Sequence, residues 1–274
     1  MSDYTIELNV ARKAADAAAK IIREYQSASS FSVSYKGKND IVTDADLKSE
    51  QKILSMIHEQ FPDDLILAEE SSDHITLPEE RIWLIDPIDG TTNFTHGFPV
   101  YCVSIALWEH RRPQMGLVLE VSRNERFSAL ASHGAYLNGN AISVSSLEDS
   151  QYALVGTGFP YNDLSLVDNY LEFFRMLIHR IQGVRRAGAA AYDLCCVACG
   201  RFDGFYEYSL NPWDVGAAAL IAREAGGTVS DWRGGDNWLL GERIVAGNPS
   251  IHQFLLEEIQ KQFTEQEVRG ENWK

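Results

Sequence analysis

The chain has 274 residues, of which 45% are hydrophobic, and 24 basic residues stand against 39 acidic ones, a formal net charge of −15. This length fits one large domain or two closely packed ones with ample core. The negative charge argues against nucleic acid and anionic membrane surfaces as partners. An anionic substrate would therefore need a metal ion or a local cationic patch to hold it.

The sequence indicates a cytoplasmic protein. No apolar stretch reaches the length of a membrane span, and the first residues have neither the basic region nor the apolar run of a signal peptide. Four cysteines, three of them between 195 and 199, do not suit a disulfide framework. Cys196 and Cys199 form a C-x-x-C pair without a second pair for zinc, so core packing is the favoured interpretation.

The first half of the chain alternates between helices and short strands. Periodic apolar residues predict a helix over 4–26, and a strand follows over 31–35. A second helix runs to about Gln60, with Thr43 or Asp44 as its N-cap. Further strands are predicted over 64–68, 82–85, 103–107, 116–121 and 127–131, the last three in an antiparallel meander, and a loop with a tight turn follows over 134–140.

The second half is predicted to begin near residue 152. Arg185 and Arg186 are its densest positive pair and could face a substrate, a subunit partner or a surface acid. The expected elements are a strand over 153–158, a helix over 166–182, a small-residue helix over 188–199, a strand over 202–208, an Ala-rich helix from Pro212 to about residue 225, strands over 228–231 and 243–246, a closing helix over 251–263, and a frayed polar tail.

The most informative stretch is residues 83–94, WLIDPIDGTTNF. The pattern predicts a buried strand with two acids at its end. Because Pro87 fixes φ and lacks an N–H, we expect the strand to stop at Asp86. Gly90 permits close approach of the backbone, and Thr91 begins a helix whose free N–H groups attract anions. Carboxylates beside an anion site indicate cations between them and a phosphate. An Asp-rich turn with an N-cap is the plain alternative.

Five acids at element boundaries could form one site: Asp46, Glu69, Asp86, Asp89 and Asp214. Each also has a local explanation as a helix cap, a first-turn acid or a solvated strand end. If they converge, cations must neutralise them, and the lack of neighbouring His or Cys favours Mg²⁺ or Mn²⁺. The pattern predicts metal-assisted hydrolysis of a phosphate ester, in which cations about 4 Å apart activate water and stabilise the leaving oxygen.

The chain resembles the inositol monophosphatase family of magnesium-dependent, lithium-sensitive phosphatases. The resemblance extends from the N-terminal helix to about residue 263 and is carried by residues 83–94, 213–218 with 224–227, 68–71 and 42–46. It implies an α/β layered sandwich of alternating helix and sheet layers, the sugar-phosphatase fold. It also implies a single domain over 1–263 with two intimate halves, about 1–150 and 151–263, a polar tail over 264–274, and a homodimer.

The resemblance implies two to three bound Mg²⁺ ions, with Mn²⁺ as a substitute. Glu69, Asp86 and the carbonyl of Ile88 would hold the metal that carries the nucleophilic water. Asp86, Asp89 and Asp214 would hold the metal on the leaving oxygen. Glu69 would also bind a looser third ion.

The family also implies roles in catalysis and substrate binding. Thr91, hydrogen-bonded to Asp46, would orient the water and help to deprotonate it, with Glu69 assisting as a base. The amides of Gly90 and Thr91 would receive the phosphate. The positions that would touch the substrate are Asp89, Gly90, Thr91, Gly188, Ala189, Ala190, Glu207 and Asp214.

Two departures from the family lie near the substrate. The loop 36–40 is about one residue shorter than in animal enzymes, and Gly188-Ala189-Ala190 replaces Gly-Thr-Ala. Thr92-Asn93-Phe94 favours the monophosphatase branch, whereas Lys-Glu-Phe would have indicated a relative acting on 3′-phosphoadenosine nucleotides.

The main prediction is a phosphatase of inositol-1-phosphate or a similar small polyol or sugar phosphate. Fructose-1,6-bisphosphate, histidinol phosphate or a nucleotide bisphosphate remain alternatives, as does a non-catalytic regulatory protein on this scaffold.

Overall fold

Two large β-sheets organise the computed structural model, which describes residues 4–28, 32–35, 41–72, 77–159, 161 and 163–269. The first half of the chain supplies a seven-stranded sheet and the second half a five-stranded one. A hairpin of β1 (Val33–Tyr35) and β2 (Ile41–Thr43) stands apart from both.

The seven-stranded sheet follows the chain in simple order from β3 to β9. Its first pair is parallel and all later pairs are antiparallel, so the predicted meander is confirmed. The strands are β3 (Leu65–Ala68), β4 (Ile82–Asp89), β5 (Cys102–Glu109), β6 (Arg112–Glu120), β7 (Glu125–Leu130), β8 (Ala135–Leu137) and β9 (Asn140–Ile142).

Helices cover both faces of this sheet, which explains why its central strands are apolar throughout. Side chains alternate along β4: Trp83 and Ile85 pack with helices α1 (Thr5–Ala28) and α2 (Asp44–Gln60), while Leu84 packs on the other side. That other side is covered by α5 (Ala190–Ala198) and α6 (Pro212–Glu224). Strand β4 and the short helix α3 (Thr91–Thr95) after it are therefore held from both directions.

The five-stranded sheet lies on the far side of α5 and α6, in the order β11-β10-β12-β14-β13. Its outer face packs on helices α4 (Val167–Ile178) and α7 (Pro249–Gln262). The strands are β10 (Leu154–Thr157), β11 (Gly183–Arg185), β12 (Gly204–Tyr208), β13 (Thr228–Ser230) and β14 (Arg243–Gly247), with a 3₁₀ turn over Ser150–Tyr152. Helices and sheets thus alternate in five layers, as the layered α/β sandwich requires.

Small residues allow α6 to fit between the two sheets. Gly116 on β6 faces the helix so closely that an added Cβ would come within 2.5 Å of the Ala217 carbonyl oxygen. Ala217, Ala218 and Ala219 are fully buried. Their short side chains set the distance between the helix and both sheets, which in turn fixes where the first turn of α6 lies.

Several boundaries differ from the prediction. Strand β4 does not stop at Asp86 but continues to Asp89 through a shift in register, so Pro87 falls at a bulge, where no ladder N–H is needed. The predicted loop over 134–140 is largely a hairpin, with β8 and β9 joined at Asn138 and Gly139, both at positive φ. Helix α4 ends at Ile178 rather than at 182.

The expected frayed tail is also wrong in part. Residues Glu265–Arg269 form helix α8, and Val268 is buried against the outer core of the second sheet. The loop 36–40 and residues 270–274 lie outside the described residues. In the described part of the chain no helix is both long and apolar enough to cross a membrane. All four cysteines are free thiols, and only Cys199 is partly exposed.

We expect Gly116→Ala to destabilise the protein by about 1–3 kcal/mol, because the new methyl group has no room beside Ala217. Gly183→Ala is the matched control, since a Cβ there meets only ordinary contacts at 3.4 Å or more, and it should change stability by less than about 0.5 kcal/mol. Chemical denaturation of both variants measures the difference. Equal stabilities would contradict the close approach of α6 to the sheet.

Candidate metal and phosphate site

Carboxyl groups from three separate elements meet where β3, β4 and α6 approach one another. Burial raises the pKa of Asp86 well above its usual range, and the neighbouring charges of Glu69, Asp89 and Asp214 raise it further. Burial likewise raises the pKa of Asp214 to about 7, with Asp89 adding to the effect. The acids that the sequence singled out therefore share one region of low dielectric constant.

The bulge in β4 brings Asp86 and Asp89 to the same place. Asp86 pairs with Ser104 on β5 and Asp89 with Cys102, and the register shifts between the two pairs. Asp86 is only 2% exposed, and its Oδ1 accepts a hydrogen bond of 2.9 Å from the Ile88 amide. The Ile88 side chain is buried in the core. Its carbonyl oxygen lies 3.0 Å from the Thr91 hydroxyl, at the edge of the acidic region.

Asp89 links the two halves of the chain. Its Oδ2 accepts a hydrogen bond of 2.8 Å from the Ala191 amide in the first turn of α5, and a weaker one from Cys102 Sγ at 3.6 Å. Burial raises the pKa of Asp89 to about 6, although these hydrogen bonds and the Arg186 charge oppose the rise. The free N–H of a helix N-terminus is a natural partner for a carboxylate.

Two of the acids also cap helices. Asp46 and Thr43 form a capping box at the start of α2, and Asn211 and Asp214 form another at the start of α6. The Asn211 amide donates to Asp214 Oδ2 at 2.7 Å. The local explanation and the functional one are therefore compatible, since each acid satisfies a helix terminus while its carboxyl group faces the site.

Thr91 and Asp46 are in direct contact, as the family resemblance implies. Thr91 Oγ1 lies 3.1 Å from Asp46 Oδ1 and 3.0 Å from the Ile88 carbonyl, so its single proton can serve one acceptor at a time. Asp46 is fully buried, and its Oδ2 accepts from the Thr43 amide at 2.8 Å. Burial raises the pKa of Asp46, while hydrogen bonds from Thr43 and Thr91 oppose that rise.

The loop before α5 closes the other side of the site. Gly90 has φ +96°, and an added Cβ there would come within 3.2 Å of the Gly188 carbonyl and 3.4 Å of the Ala189 Cβ. Asn93 Nδ2 donates to the Ala187 carbonyl at 2.8 Å. Gly188 and Ala189 thus pack against the Gly90 turn, which the sequence analysis associates with phosphate.

Glu207 projects from β12 toward the same region. Burial raises its pKa to about 8, opposed by Arg186 and supported by the charges of Asp214 and Asp89. An added Cβ at Gly158 would overlap the Glu207 carboxyl group, so that glycine makes the space for it. The site residues that the sequence analysis predicted in the second half of the chain therefore lie beside those predicted in the first half.

A family model described as the inositol monophosphatase family matches residues 3–265. The chain belongs to this family. Nus factor SuhB of Pseudomonas aeruginosa is 42% identical over 258 residues, covering 92% of this chain and 95% of that protein. A putative Nus factor SuhB of Neisseria meningitidis serogroup B is 44% identical over 245 residues, covering 89% and 94%.

Solved structures of family members share the fold. The inositol monophosphatase of Anabaena (Nostoc) has a TM-score of 0.84 at 38% identity, covering 96% of this chain and 98% of that one. The extragenic suppressor protein suhB of Bartonella henselae has a TM-score of 0.89 at 36% identity, covering 94% and 100%. The predicted family and the predicted layered fold are confirmed.

Sequence reasoning did not single out one further acid that lies in this site. Asp193 on α5 is 2% exposed, and its Oδ1 has no hydrogen-bond partner among the described residues. Burial raises its pKa well above the usual range, Glu207 and Asp89 raise it further, and Arg186 opposes the rise. The sequence feature that could have identified Asp193 is a single charged residue inside an otherwise apolar helix, because charged side chains are rarely buried unless they are paired.

Arg186 is the positive group of the site. Its charge opposes the raised pKa of Asp89, Asp193 and Glu207, so it lies near all three. The sequence left three alternatives for the arginine pair, and the structure shows that Arg186 lies beside the acidic side chains. One guanidinium cannot balance so many acids, and the site remains strongly negative.

The donor set fits a divalent cation. Glu69 Oε2 is buried without a hydrogen-bond partner among the described residues, beside Asp86 and Asp214. Burial, Asp214 and Glu70 raise the pKa of Glu69 well above its usual range. An all-oxygen set of this kind suits Mg²⁺ or Mn²⁺. Across the described ranges no group of three or more acidic, His or Cys side chains is arranged to hold a metal ion, and Asp89 and Asp214 each have one oxygen bound to a backbone amide.

We expect the metal-free protein to lose stability as the pH rises from about 4 to about 8. Carboxyl groups with raised pKa values, near 6 for Asp89, 7 for Asp214 and 8 for Glu207, keep protons in the fold that they lose near pH 4 when unfolded. Their stabilising contribution is complete below about pH 4 and disappears as the pH passes through the folded values. Added Mg²⁺ should restore stability most at pH 8.

Thermal unfolding in EDTA and in Mg²⁺ across this pH range measures the effect. Asp214→Asn should flatten the pH dependence, because it removes one titrating group while keeping an oxygen for the Asn211 amide. Glu59→Gln, at an exposed site on α2, is the control and should leave the profile unchanged. A metal-free profile that rises between pH 5 and 8 to the same degree in all three proteins would contradict the shared site.

Proposed function

We propose that the chain is a metal-dependent phosphomonoester hydrolase whose substrate is inositol-1-phosphate or a similar small polyol phosphate. The main support is the group of mutually repelling carboxyl groups, with an unpartnered Glu69 oxygen, beside the Gly90–Thr91 turn. Such an arrangement is stable in its charged form only around cations, and cations are what an anionic substrate needs in a chain of net charge −15. Family membership agrees with this chemistry.

The proposed metal ligands are the oxygens of the acidic group. Glu69, Asp86 and the Ile88 carbonyl would hold one Mg²⁺, and Asp86, Asp89 and Asp214 would hold a second, with a third held more loosely by Glu69. Mg²⁺ bound there supplies Lewis acidity toward the phosphate and lowers the pKa of a water ligand. Mn²⁺ is the expected substitute because it accepts the same oxygen ligands.

Thr91 and Asp46 are the proposed path for the proton. When the Thr91 hydroxyl donates its hydrogen bond to Asp46, the lone pairs of Oγ1 are free to accept a hydrogen bond from water. That hydrogen bond orients the water toward the phosphorus and draws its proton away as the attack proceeds. The unpartnered oxygen of Glu69 offers a second acceptor on the same side.

The substrate is proposed to lie between the two halves. The amides of Gly90 and Thr91 receive the phosphate oxygens, and the loop of Gly188, Ala189 and Ala190 flanks the alcohol part. Glu207, with a pKa near 8, can donate or accept a hydrogen bond to a ring hydroxyl near neutral pH. Asp193 is a further acceptor, because one of its oxygens has no partner among the described residues.

A regulatory role on the same scaffold is the second candidate. The relatives from Pseudomonas and Neisseria are named Nus factors rather than phosphatases. The expectation that the chain has no nucleic-acid partner therefore stays a prediction, as do the homodimer and lithium sensitivity. A cytoplasmic setting is proposed on the free state of the four cysteines.

We expect Asp89→Asn to reduce kcat by at least about 100-fold while the fold survives, because it removes a metal ligand but keeps an oxygen for the Ala191 amide. Asp168→Asn, an exposed acid in the first turn of α4, is the matched control and should retain activity. Phosphate release with Mg²⁺ is measured on inositol-1-phosphate, fructose-1,6-bisphosphate, histidinol phosphate and a 3′-phosphoadenosine nucleotide. No release from any substrate would contradict the hydrolase and favour the regulatory role.

We expect Thr91→Val to lower kcat by about 10²–10⁴-fold with a small change in KM, since the isosteric side chain lacks the hydroxyl that orients water. Thr91→Ser keeps the hydroxyl and should retain activity within about tenfold. Steady-state kinetics on the best substrate of the screen separates the two. Equal losses in both variants would show that Thr91 acts through packing rather than through its hydroxyl.

A further inference from the structure

A cavity of about 710 Å³ lies at the end of α6 opposite Asp214. Its walls come from the β5–β6 turn, the β7–β8 turn, the last turn of α6 and the segment before β14. Asp214 and Arg223 are nine positions apart on one helix, so their Cα atoms lie about 14 Å apart along its axis. The cavity is therefore separate from the acidic site and shares none of its residues.

The lining is cationic in a strongly acidic protein. Its charged side chains are Arg111, Arg112, Arg223 and Asp236, with His133 on the rim. Arg223 pairs with Asp236 at 2.7 Å, and Arg111 pairs with the exposed Glu79 at 3.1 Å. Arg112 forms no ion pair among the described residues, although it lies opposite Glu109 in the β5–β6 ladder, where the Glu109 carboxylate accepts the Tyr4 hydroxyl. An exposed guanidinium without a partner at a concave site is suited to an oxyanion, which it can bind through two parallel hydrogen bonds.

The backbone turn that carries Arg111 is conformationally strained. His110 and Arg111 both have positive φ, 52° and 56°, in the two-residue turn between β5 and β6. This turn type normally carries Asn-Gly because larger residues are strained at positive φ. The turn fixes the backbone positions from which the exposed side chains of Arg111 and Arg112 leave the hairpin.

The opposite rim is also fixed. Glu224 at the end of α6 accepts hydrogen bonds from the Ser132 amide at 2.7 Å and the Gly134 amide at 2.9 Å. These bonds tie the β7–β8 turn to the helix and satisfy the Glu224 carboxylate. That carboxylate is thus turned to backbone donors, and Asp236 is the only acid among the described residues that line the cavity.

The floor is apolar. The rings of Trp108 and Trp238 lie 5.6 Å apart, and the Arg223 guanidinium lies 5.1 Å from the Trp238 ring centre. Pro113 and Leu130 extend this surface. A volume of this size suits a small organic molecule rather than a bare ion, with the apolar floor contacting its carbon skeleton.

We propose that this arginine-lined cavity binds a small organic oxyanion, a phosphate ester or a polycarboxylate, independently of the metal and phosphate site. Arg112 makes the principal contact with the anionic group, and Arg111 and Arg223 add to the attraction. The proposal does not rest on the chain being a hydrolase, because none of its residues belongs to the acidic site.

The test uses the full chain at pH 8 after divalent cations have been removed on a chelating resin, because dissolved EDTA is itself a polycarboxylate and would compete for the cavity. Without cations the acidic site has no metal ion to hold an anion. Isothermal titration with pyrophosphate and, separately, with citrate should show one binding site that weakens as salt is raised. Arg112→Ala should weaken binding by about tenfold or more, since it removes a charged hydrogen-bond donor. Lys52→Ala removes an exposed positive charge on α2 and is the control.

Arg112→Gln serves as a second variant that keeps most of the side-chain length, and thermal unfolding verifies that each variant is folded. Binding of pyrophosphate alone would identify the ligand as a phosphate compound, and binding of citrate alone as a carboxylate. Binding of either anion supports the proposal if it is lost in both Arg112 variants and retained in Lys52→Ala. Absence of binding by both anions, or equal affinity in the Arg112 variants and the control, would overturn it.

Discussion

Repulsion among buried carboxyl groups is the constraint on which the rest of the structure depends. The fold offsets part of it with backbone amides: Ile88 donates to Asp86, Ala191 to Asp89 and Asn211 to Asp214. Two of these donors lie at the N-termini of helices α5 and α6, where the helix dipole also favours negative charge. In the proposed metal-bound state, cations would neutralise the remaining charge, and the repulsion among the carboxylates would then provide the affinity for metal.

The layered packing places the N-termini of two helices beside these buried carboxyl groups. Helices α5 and α6 lie between two sheets, and both begin at the acidic site. Because α6 rests on Gly116 and on its own alanines, a small change in packing would move Asp214 relative to the acids of β4. The position of Asp214 in the site is thus set by core contacts about one turn further along the helix, which is typical of rigid elements that carry functional groups.

Much of this could be predicted from the sequence, because the acids stand at boundaries marked by local signals such as Pro87, Gly90 and Pro212. The layered fold followed from the family resemblance and is confirmed. The end of β4 was predicted wrongly, since a proline can also occupy a bulge. Asp193 was missed, and the orientation of Arg186 stayed open, because both depend on contacts between distant segments that no local pattern encodes.

The double use of Asp46 and Asp214 as helix caps has an evolutionary consequence. Replacing either residue would remove a cap worth about 1 kcal/mol, so selection for a folded protein alone would retain them after hydrolysis had ceased. Asp89 also satisfies a helix terminus, since it accepts the Ala191 amide at the start of α5, whereas the buried Oε2 of Glu69 has no hydrogen-bond partner among the described residues. In a lineage that kept the scaffold only for regulation, position 69 would be the first to drift, and it is the one that would report whether the proposed catalysis is still under selection.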